Sequence, residues 1–473
     1  SSWGWGRRRR RSRKRGEGTI APLTFCSSRQ PLKLKIAVDL MGWQGIMNVT
    51  RESIAGRVLG VKKTESRKAY HDLLDTMADF DIAYLGPGRA VFLEDDIAEG
   101  HRMATHLLRT GLEFFVEQTP ARPQLRRFVT PDRKMMGDNP DALYYFAPLN
   151  LSMTSGKGYI LQGSRAAEVY FSVTLYGSDS QAGYAERVIS EVNSEQLQLT
   201  DSGEFIIHLT PKEPLGGSNW LRITDEVHAV VSRHYFEQTD IPAAMDPQIE
   251  RSIRLSISSL DEDANIESTP NDAEMARRLQ LVAKFVRAHS TERPRQDPTK
   301  APPWFSFVPN RIGEPTLWSN KGNNDDGGMG AVDIAYGAGF FRLGQDEGLE
   351  ITGRIPKCKF ANVVLWNRFL QTLDYRSRNV SLNRKQMIPD SDGTYRILLS
   401  ARPSSYVALN ETCDSQLTDA PSNEEKMACY LERQSTPNWL DSEGRGGGII
   451  FWRFVLPEEE IQKPETRLVR LVS

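Results

Sequence analysis

One stretch of this chain returns 190 residues later without a gap. Tyr159-Ile-Leu-Gln-Gly163 and Tyr170-Phe-Ser-Val-Thr-Leu-Tyr176 align with Leu349-Glu-Ile-Thr-Gly353 and Phe360-Ala-Asn-Val-Val-Leu-Trp366. The same offset matches Gly203–Leu209 with Gly393–Leu399, and each copy closes on Asn-Trp-Leu, at 219–221 and 438–440. A chain of 473 residues is too long for one hydrophobic core. The repeat therefore predicts two domains of like architecture.

Each copy alternates polar and apolar residues over short runs punctuated by Gly, Ser and Asp, which is the signature of antiparallel strands. Phe205, Ile207 and Leu209 point to one face and Glu204, Ile206 and His208 to the other; Tyr395, Ile397 and Leu399 repeat the inward set. Gly163 and Gly353 share a register position, where a strand glycine signals a bulge or a sharp bend. Two helices are also expected. One follows Glu94-Asp-Asp96 with Ile97, Ala104, Leu107, Leu108, Leu112 and Phe115 on one face, and should pack on a sheet. The other runs from Asn271, a candidate cap, to Arg287.

The fold expected is mainly β with added helices: two tandem antiparallel β-sandwich domains from an internal duplication. Residues 1–30 read as a disordered basic tail, 31–135 as a helical segment, 136–265 as the first β-sandwich, 266–330 as a helix and a Pro/Gly-rich crossing, and 331–473 as the second β-sandwich. Trp304, Phe305, Phe307 and Trp318 argue that the crossing is packed, because disordered linkers rarely keep so many aromatic residues.

With 39% hydrophobic and 26% charged residues the composition is that of a globular protein, and no run reaches the ~18 apolar residues of a membrane span. Residues 7–15 contribute +8 against a net charge of −1, so the remainder carries −9 and is acidic. That ranks nucleic acid last among partners. The chain begins at Ser1 rather than Met, and no localisation is built on its tail. Of four cysteines, Cys413 and Cys429 lie in a 29-residue insertion running through Ala408 to Gln434, where they form a disulfide or stay reduced according to compartment. Four sequons (Asn48, Asn150, Asn379 and Asn410) are close to what chance gives.

No phosphate loop, His-Glu-X-X-His, Cys-X-X-Cys or nucleophile elbow is present, and no cofactor or metal is implied. The better guide is where the copies differ. Copy one continues past Tyr176 with Gly-Ser-Asp-Ser; copy two continues through Trp366, Asn367, Arg368, Gln371, Asp374, Tyr375 and Arg376. Trp366, Asn367, Gln371, Tyr375 and Arg376 are the candidate ligand-binding set, combining aromatic faces with an arginine fork. The plainer alternative is a loop held by its own Asp374 to Arg376 ion pair. Gly137-Asp-Asn-Pro-Asp141 offers two carboxylates for acid/base work, or turn chemistry, which is the commoner use. The Asn-Trp pairs at 219–220 and 438–439 occur in both copies and read as structural anchors.

Asp138-Asn-Pro-Asp-Ala-Leu-Tyr144, Tyr159-x-x-x-Gly163, Asn219-Trp-Leu-Arg222, Leu365-Trp-Asn-Arg-Phe-Leu-Gln-Thr-Leu-Asp-Tyr-Arg376 and Pro437-Asn-Trp-Leu-Asp441 resemble the family called domain of unknown function 1214, over roughly 94–473. The resemblance implies a pair of jelly-roll-like β-sandwiches with helical additions. It supplies no reaction and no catalytic residues, and the cysteine-bearing insertion and basic segment depart from its pattern. The function expected is a binding or structural protein recognising a polar or carbohydrate-like ligand, or assembling with copies of itself. The alternative is an enzyme on a small polar or sugar-like substrate, with Asp374 or Asp141 as acid/base.

Overall fold

Among the described residues, the three long helices start where side chains can satisfy free backbone donors or oppose the helix dipole. In α1 (Glu65–Asp79) the Thr64 hydroxyl accepts from the Arg67 N–H. Helix α2 (Glu94–Phe115) opens with Glu94, Asp95 and Asp96 in its first turn. In α3 (Asp272–Ala288) the Asn271 side-chain oxygen accepts from the Glu274 N–H at 2.9 Å, as the sequence predicts. Of the face expected for α2, Ala104 and Leu107 are buried, and Ile97, Leu108, Leu112 and Phe115 are half-buried. Both α1 and α2 pack on α3, and Phe114 of α2 stacks on Phe146 with ring centroids 3.5 Å apart. The helix does pack on a sheet.

This is a computed structural model that describes residues 61–178, 186–216, 219–263, 269–295, 297–318, 330–408 and 434–472. The basic run 7–15, Cys26, Asn48, Asn410, Cys413, Cys429 and residues 319–329 of the crossing lie outside the described residues. All elements named here belong to the unit Lys63–Ser473.

The protein is mainly β, with few helices and four sheets among the described residues. The first eight strands used here are β1 (Ala142–Pro148), β2 (Tyr159–Ser164), β3 (Tyr170–Gly177), β4 (Arg187–Asn193), β5 (Glu204–Thr210), β6 (Asn219–Arg222), β7 (Val227–Tyr235) and β8 (Arg254–Ser259). Sheet I runs β1-β7-β3-β4, with the short strand Arg126–Arg127 on its β1 edge, and sheet II runs β6-β5-β2-β8. The next nine are β9 (Ile334–Arg342), β10 (Glu347–Gly353), β11 (Phe360–Trp366), β12 (Ser381–Asn383), β13 (Tyr395–Ser400), β14 (Ser405–Ala408), β15 (Asn438–Asp441), β16 (Gly447–Val455) and β17 (Glu465–Val472). Sheet III runs β9-β16-β11-β12, and sheet IV runs β14-β17-β10-β13-β15. No described helix is long and apolar enough to cross a membrane.

Three apolar clusters hold the sheets. Leu161, Phe171, Val173, Ile207 and Leu209 pack between sheets I and II, and Leu349, Ile351, Val363, Ile397 and Trp452 between sheets III and IV. The outer faces of sheets I and III meet each other and the helices through Phe146, Tyr235, Phe360, Val364 and Phe451. Sheets I and III are thus covered on both sides, which explains why every residue of β3 and of β11 is buried.

Gly163 and Gly353 do not mark bulges. Their ladders run on without a register shift, opposite Phe205 and Tyr395. At Gly353 a Cβ would collide with the Tyr395 ring across the strand; at Gly163 it would collide with the Arg254 carbonyl and Leu255 and press on Phe205. The Asn-Trp pairs act as anchors. Asn219 accepts from the Gln198 N–H and donates to the carbonyls of Gln198 and Ile206; Asn438 makes the same three bonds with Ile388 and Arg396.

Candidate functional site

The turn 137–141 joins the N-terminal pair of sheets to the C-terminal pair. Locally it does what Asp-Asn-Pro-Asp does in turns: the Asn139 side-chain oxygen accepts from the Asp141 N–H at 3.1 Å. Its other groups cross the seam. The Asn362 side-chain amide donates to both Asn139 Oδ1 and Asp141 Oδ2, each at 2.8 Å, and Asn383 donates to Asp141 Oδ1 at 3.1 Å. Burial pushes the Asp141 carboxyl up to about 6, against the pull of the Asn362 and Asn383 donors. In the opposite direction, Asp333 accepts from Tyr170 at 2.7 Å and from Asn193 at 2.7 Å.

Beside this seam, between sheets I and III, lies a cavity of about 320 Å³. Tyr144 and Tyr235 come from sheet I, Tyr336, Trp366 and Phe451 from sheet III, and Trp304 and Trp318 from the crossing. That composition, an aromatic wall with few polar groups, is typical of small-molecule sites, and the volume is at their lower end. The charged residues on the wall are Asp138, Arg233, Arg293 and Arg453. Arg453 projects from β16 and is 3% exposed; its Nη2 donates to the Gly137 carbonyl at 2.8 Å, and its guanidinium lies over the rings of Phe451 and Trp366, 4.7 and 5.1 Å from their centroids. Its Nη1 has no hydrogen-bond partner among the described residues, nor has Asp138 Oδ2. Burial holds the Asp138 carboxyl above the usual range, while Lys134 and the Thr372 N–H, at 2.7 Å from Oδ1, act in the other direction. Arg233, from β7, donates to Thr174 at 2.8 Å and to the Tyr176 hydroxyl. Behind it the Glu191 carboxyl is pushed up to about 7 by burial.

The candidates from sequence divide between wall and support. Trp366 lines the cavity, and its Nε1 donates to the Asp138 carbonyl at 3.0 Å. Asn367 caps its own loop, its oxygen accepting from the N–H groups of Phe369 and Gln371. Gln371 donates to the Lys134 carbonyl at 2.8 Å. Tyr375 is buried beneath the Lys134 ammonium, 4.8 Å from the ring centroid, and that ammonium also donates to the carbonyls of Thr372 and Leu373. Asp374 and Arg376 pair with each other at 2.7 Å. Neither Asp374 nor Asp141 borders the central cavity. Among the described residues no group of three or more His, Cys, Asp or Glu could hold a metal ion.

Sequence reasoning passed over Arg453, Arg233 and Tyr336. A signal was present for one of them: Arg453 interrupts the otherwise apolar run Ile449–Val455, and a charge in a strand buried on both faces calls for a partner, whereas Arg233 sits among Ser232 and His234 and stands out less.

Residues 149–238 match the family model described as Protein of unknown function (DUF1214). The matched stretch takes in β2 to β7, and so carries Tyr235 and Arg233 of the cavity wall. Among solved structures, an uncharacterized protein from Burkholderia cenocepacia is similar at 23% identity and a TM-score of 0.64, over 85% of this chain and 96% of that one. It shares the fold. A protein from Vibrio parahaemolyticus aligns at 12% identity and a TM-score of 0.43, over 85% of this chain and 99% of that one. No curated protein matches.

Proposed function

We propose that this is a non-catalytic binding protein in which two jelly-roll-like β-sandwiches, products of one duplication, hold a small polar or carbohydrate-like ligand between their inner sheets. Strand order supports the duplication: β1-β7-β3-β4 corresponds to β9-β16-β11-β12, and β6-β5-β2-β8 to β15-β13-β10-β17. The paired bonds of Asn219 and Asn438 support it further. The observation that carries the binding reading is the cavity itself. Its aromatic wall suits the face of a ring, and Arg453 Nη1 and Asp138 Oδ2 are buried polar atoms that a ligand would satisfy. The loop 367–376 enters this reading through Trp366 on the wall, with Asn367, Gln371, Tyr375 and Arg376 as its support.

The enzymatic alternative, with Asp374 or Asp141 as acid/base, has less behind it, because both carboxylates are engaged away from the cavity. A thermal-shift screen of sugars and small acids on the full chain tests the proposal. A compound that raises the melting temperature should bind at least tenfold more weakly to a Trp366→Leu variant and equally well to Asp374→Asn. Binding that ignores Trp366 and depends on Asp374 would move the site out of the cavity.

A further inference from the structure

The two buried arginines occupy equivalent ladder positions with different surroundings. Arg233 pairs with Tyr144 across β1 and with Ser172 across β3; Arg453 pairs with Tyr336 across β9 and with Asn362 across β11. Near Arg233, the Thr174 and Tyr176 hydroxyls accept its N–H groups, and Glu191, opposite Thr174 on β4, supplies the negative charge. The register places Val364, Trp366 and Ser381 at the three matching positions of the C-terminal sheets. The carboxylate and both hydroxyl acceptors used by Arg233 are therefore gone around Arg453. The Arg453 guanidinium makes no ion pair with a carboxylate among the described residues; its Nη2 takes backbone carbonyls and its Nη1 takes nothing. Among the described residues the acid on the wall is Asp138, which Lys134 influences more strongly than Arg453 does, and half-buried Arg293 adds a further positive charge. Asp138 and Asp141 act on Arg453 only at a distance, and a buried cation with no carboxylate in contact is costly unless something else brings one.

We infer that the ligand of this cavity is an acid: a ring-bearing compound whose carboxylate or similar oxyanion is bound by Arg453, with its ring against the aromatic wall. This rests on the cavity being the binding site. Charge-assisted hydrogen bonds from a desolvated guanidinium give the selectivity, since a neutral analogue leaves the charge unmatched. The ring is either aromatic or a sugar, and the two are separable by experiment.

Calorimetric titration of the full chain with benzoate and benzamide, and with glucuronate and glucose, tests the inference. One acid is expected to bind at least tenfold more tightly than its neutral counterpart, benzoate marking an aromatic ligand and glucuronate a sugar acid. Arg453→Gln should lose at least tenfold in affinity for that acid, and Arg453→Lys should retain part of it. Equal binding of acid and neutral compound, or undiminished acid binding by a folded Arg453→Gln protein, overturns the anion site and leaves the cavity reading standing. If none of the four compounds binds, both fall. Should Arg453→Gln fail to fold, the ratio of acid to neutral affinity in the unaltered protein and in Arg453→Lys still decides.

Discussion

Asn362 holds the seam between the sheet pairs through one amide group, and its replacement by leucine, of the same branching but larger, removes that contribution. The Nδ2 atom donates to Asn139 and to the Asp141 carboxylate, and Asn362 is fully buried. A buried acceptor left without its donor costs about 1–3 kcal/mol, with charged acceptors at the upper end. Asp141 Oδ2 is left without a donor while Asn139 Oδ1 keeps the Asp141 N–H, so the substitution should destabilise by about 2–3 kcal/mol when Asp141 is ionised. The cost must then depend on pH. The Asp141 carboxyl lies at about 6 in the folded protein against an ordinary 3.8, so the folded state holds this proton more tightly than the unfolded state does. Stability from this group is full below about pH 4 and is lost as pH rises through 6, a difference of about two pH units worth about 3 kcal/mol. The Asn362 donor limits that loss, because it favours the ionised form. Removing it should raise the carboxyl further and make the penalty at pH 8 exceed that at pH 5 by about 1–2 kcal/mol. Urea unfolding of both proteins at the two pH values, followed by far-UV circular dichroism and by tryptophan fluorescence, measures this directly. A penalty under 1 kcal/mol at pH 8, or one unchanged between pH 5 and pH 8, would refute the role given to this seam.

What the sequence disclosed depended on whether the cause was local. Asn271 caps α3 by reaching three residues ahead, and Asn219 and Asn438 bind backbone on neighbouring strands in ways that the matched copies expose. Period and register are properties of the chain, so these were legible. Gly163 and Gly353 were legible as special positions, but the reason lay across the ladder, in Phe205 and Tyr395. Asp141 illustrates the limit. Its turn neighbours predicted an Asx turn, which forms, while its two side-chain donors, Asn362 and Asn383, lie 221 and 242 residues away. The cavity is harder still, because its wall is assembled from β1, β7, β9, β11, β16 and the crossing, and only the packing of sheet I on sheet III brings them together. Trp366 was reached by asking where the copies differ. That question does not reach Arg453, because an arginine stands at each of the two ladder positions and the difference lies in its neighbours.

Two further substitutions test the ladder chemistry. Gly163→Ala should cost about 1–3 kcal/mol in urea unfolding, since its Cβ would meet the Arg254 carbonyl oxygen at 2.5 Å, a backbone atom that cannot swing away. Gly353→Ala should cost less, because the obstruction there is the hydroxyl end of Tyr395; equal penalties would show that the aromatic cover does not distinguish the sites. The anchors make a sharper comparison, since Asn219 and Asn438 form equivalent bonds at different depths. Asn438 is 3% exposed, whereas Asn219 is only partly buried. Alanine at 438 removes three bonds that are partly shielded from solvent, although the Arg396 carbonyl keeps the Thr436 hydroxyl, while alanine at 219 removes three that are open to solvent able to replace them. Asn438→Ala should therefore destabilise by about 2–3 kcal/mol and Asn219→Ala by about 1 kcal/mol, measured as a shift in urea midpoint at constant slope. Equal losses would mean that burial does not set the strength of these anchors, and that strand register alone holds them.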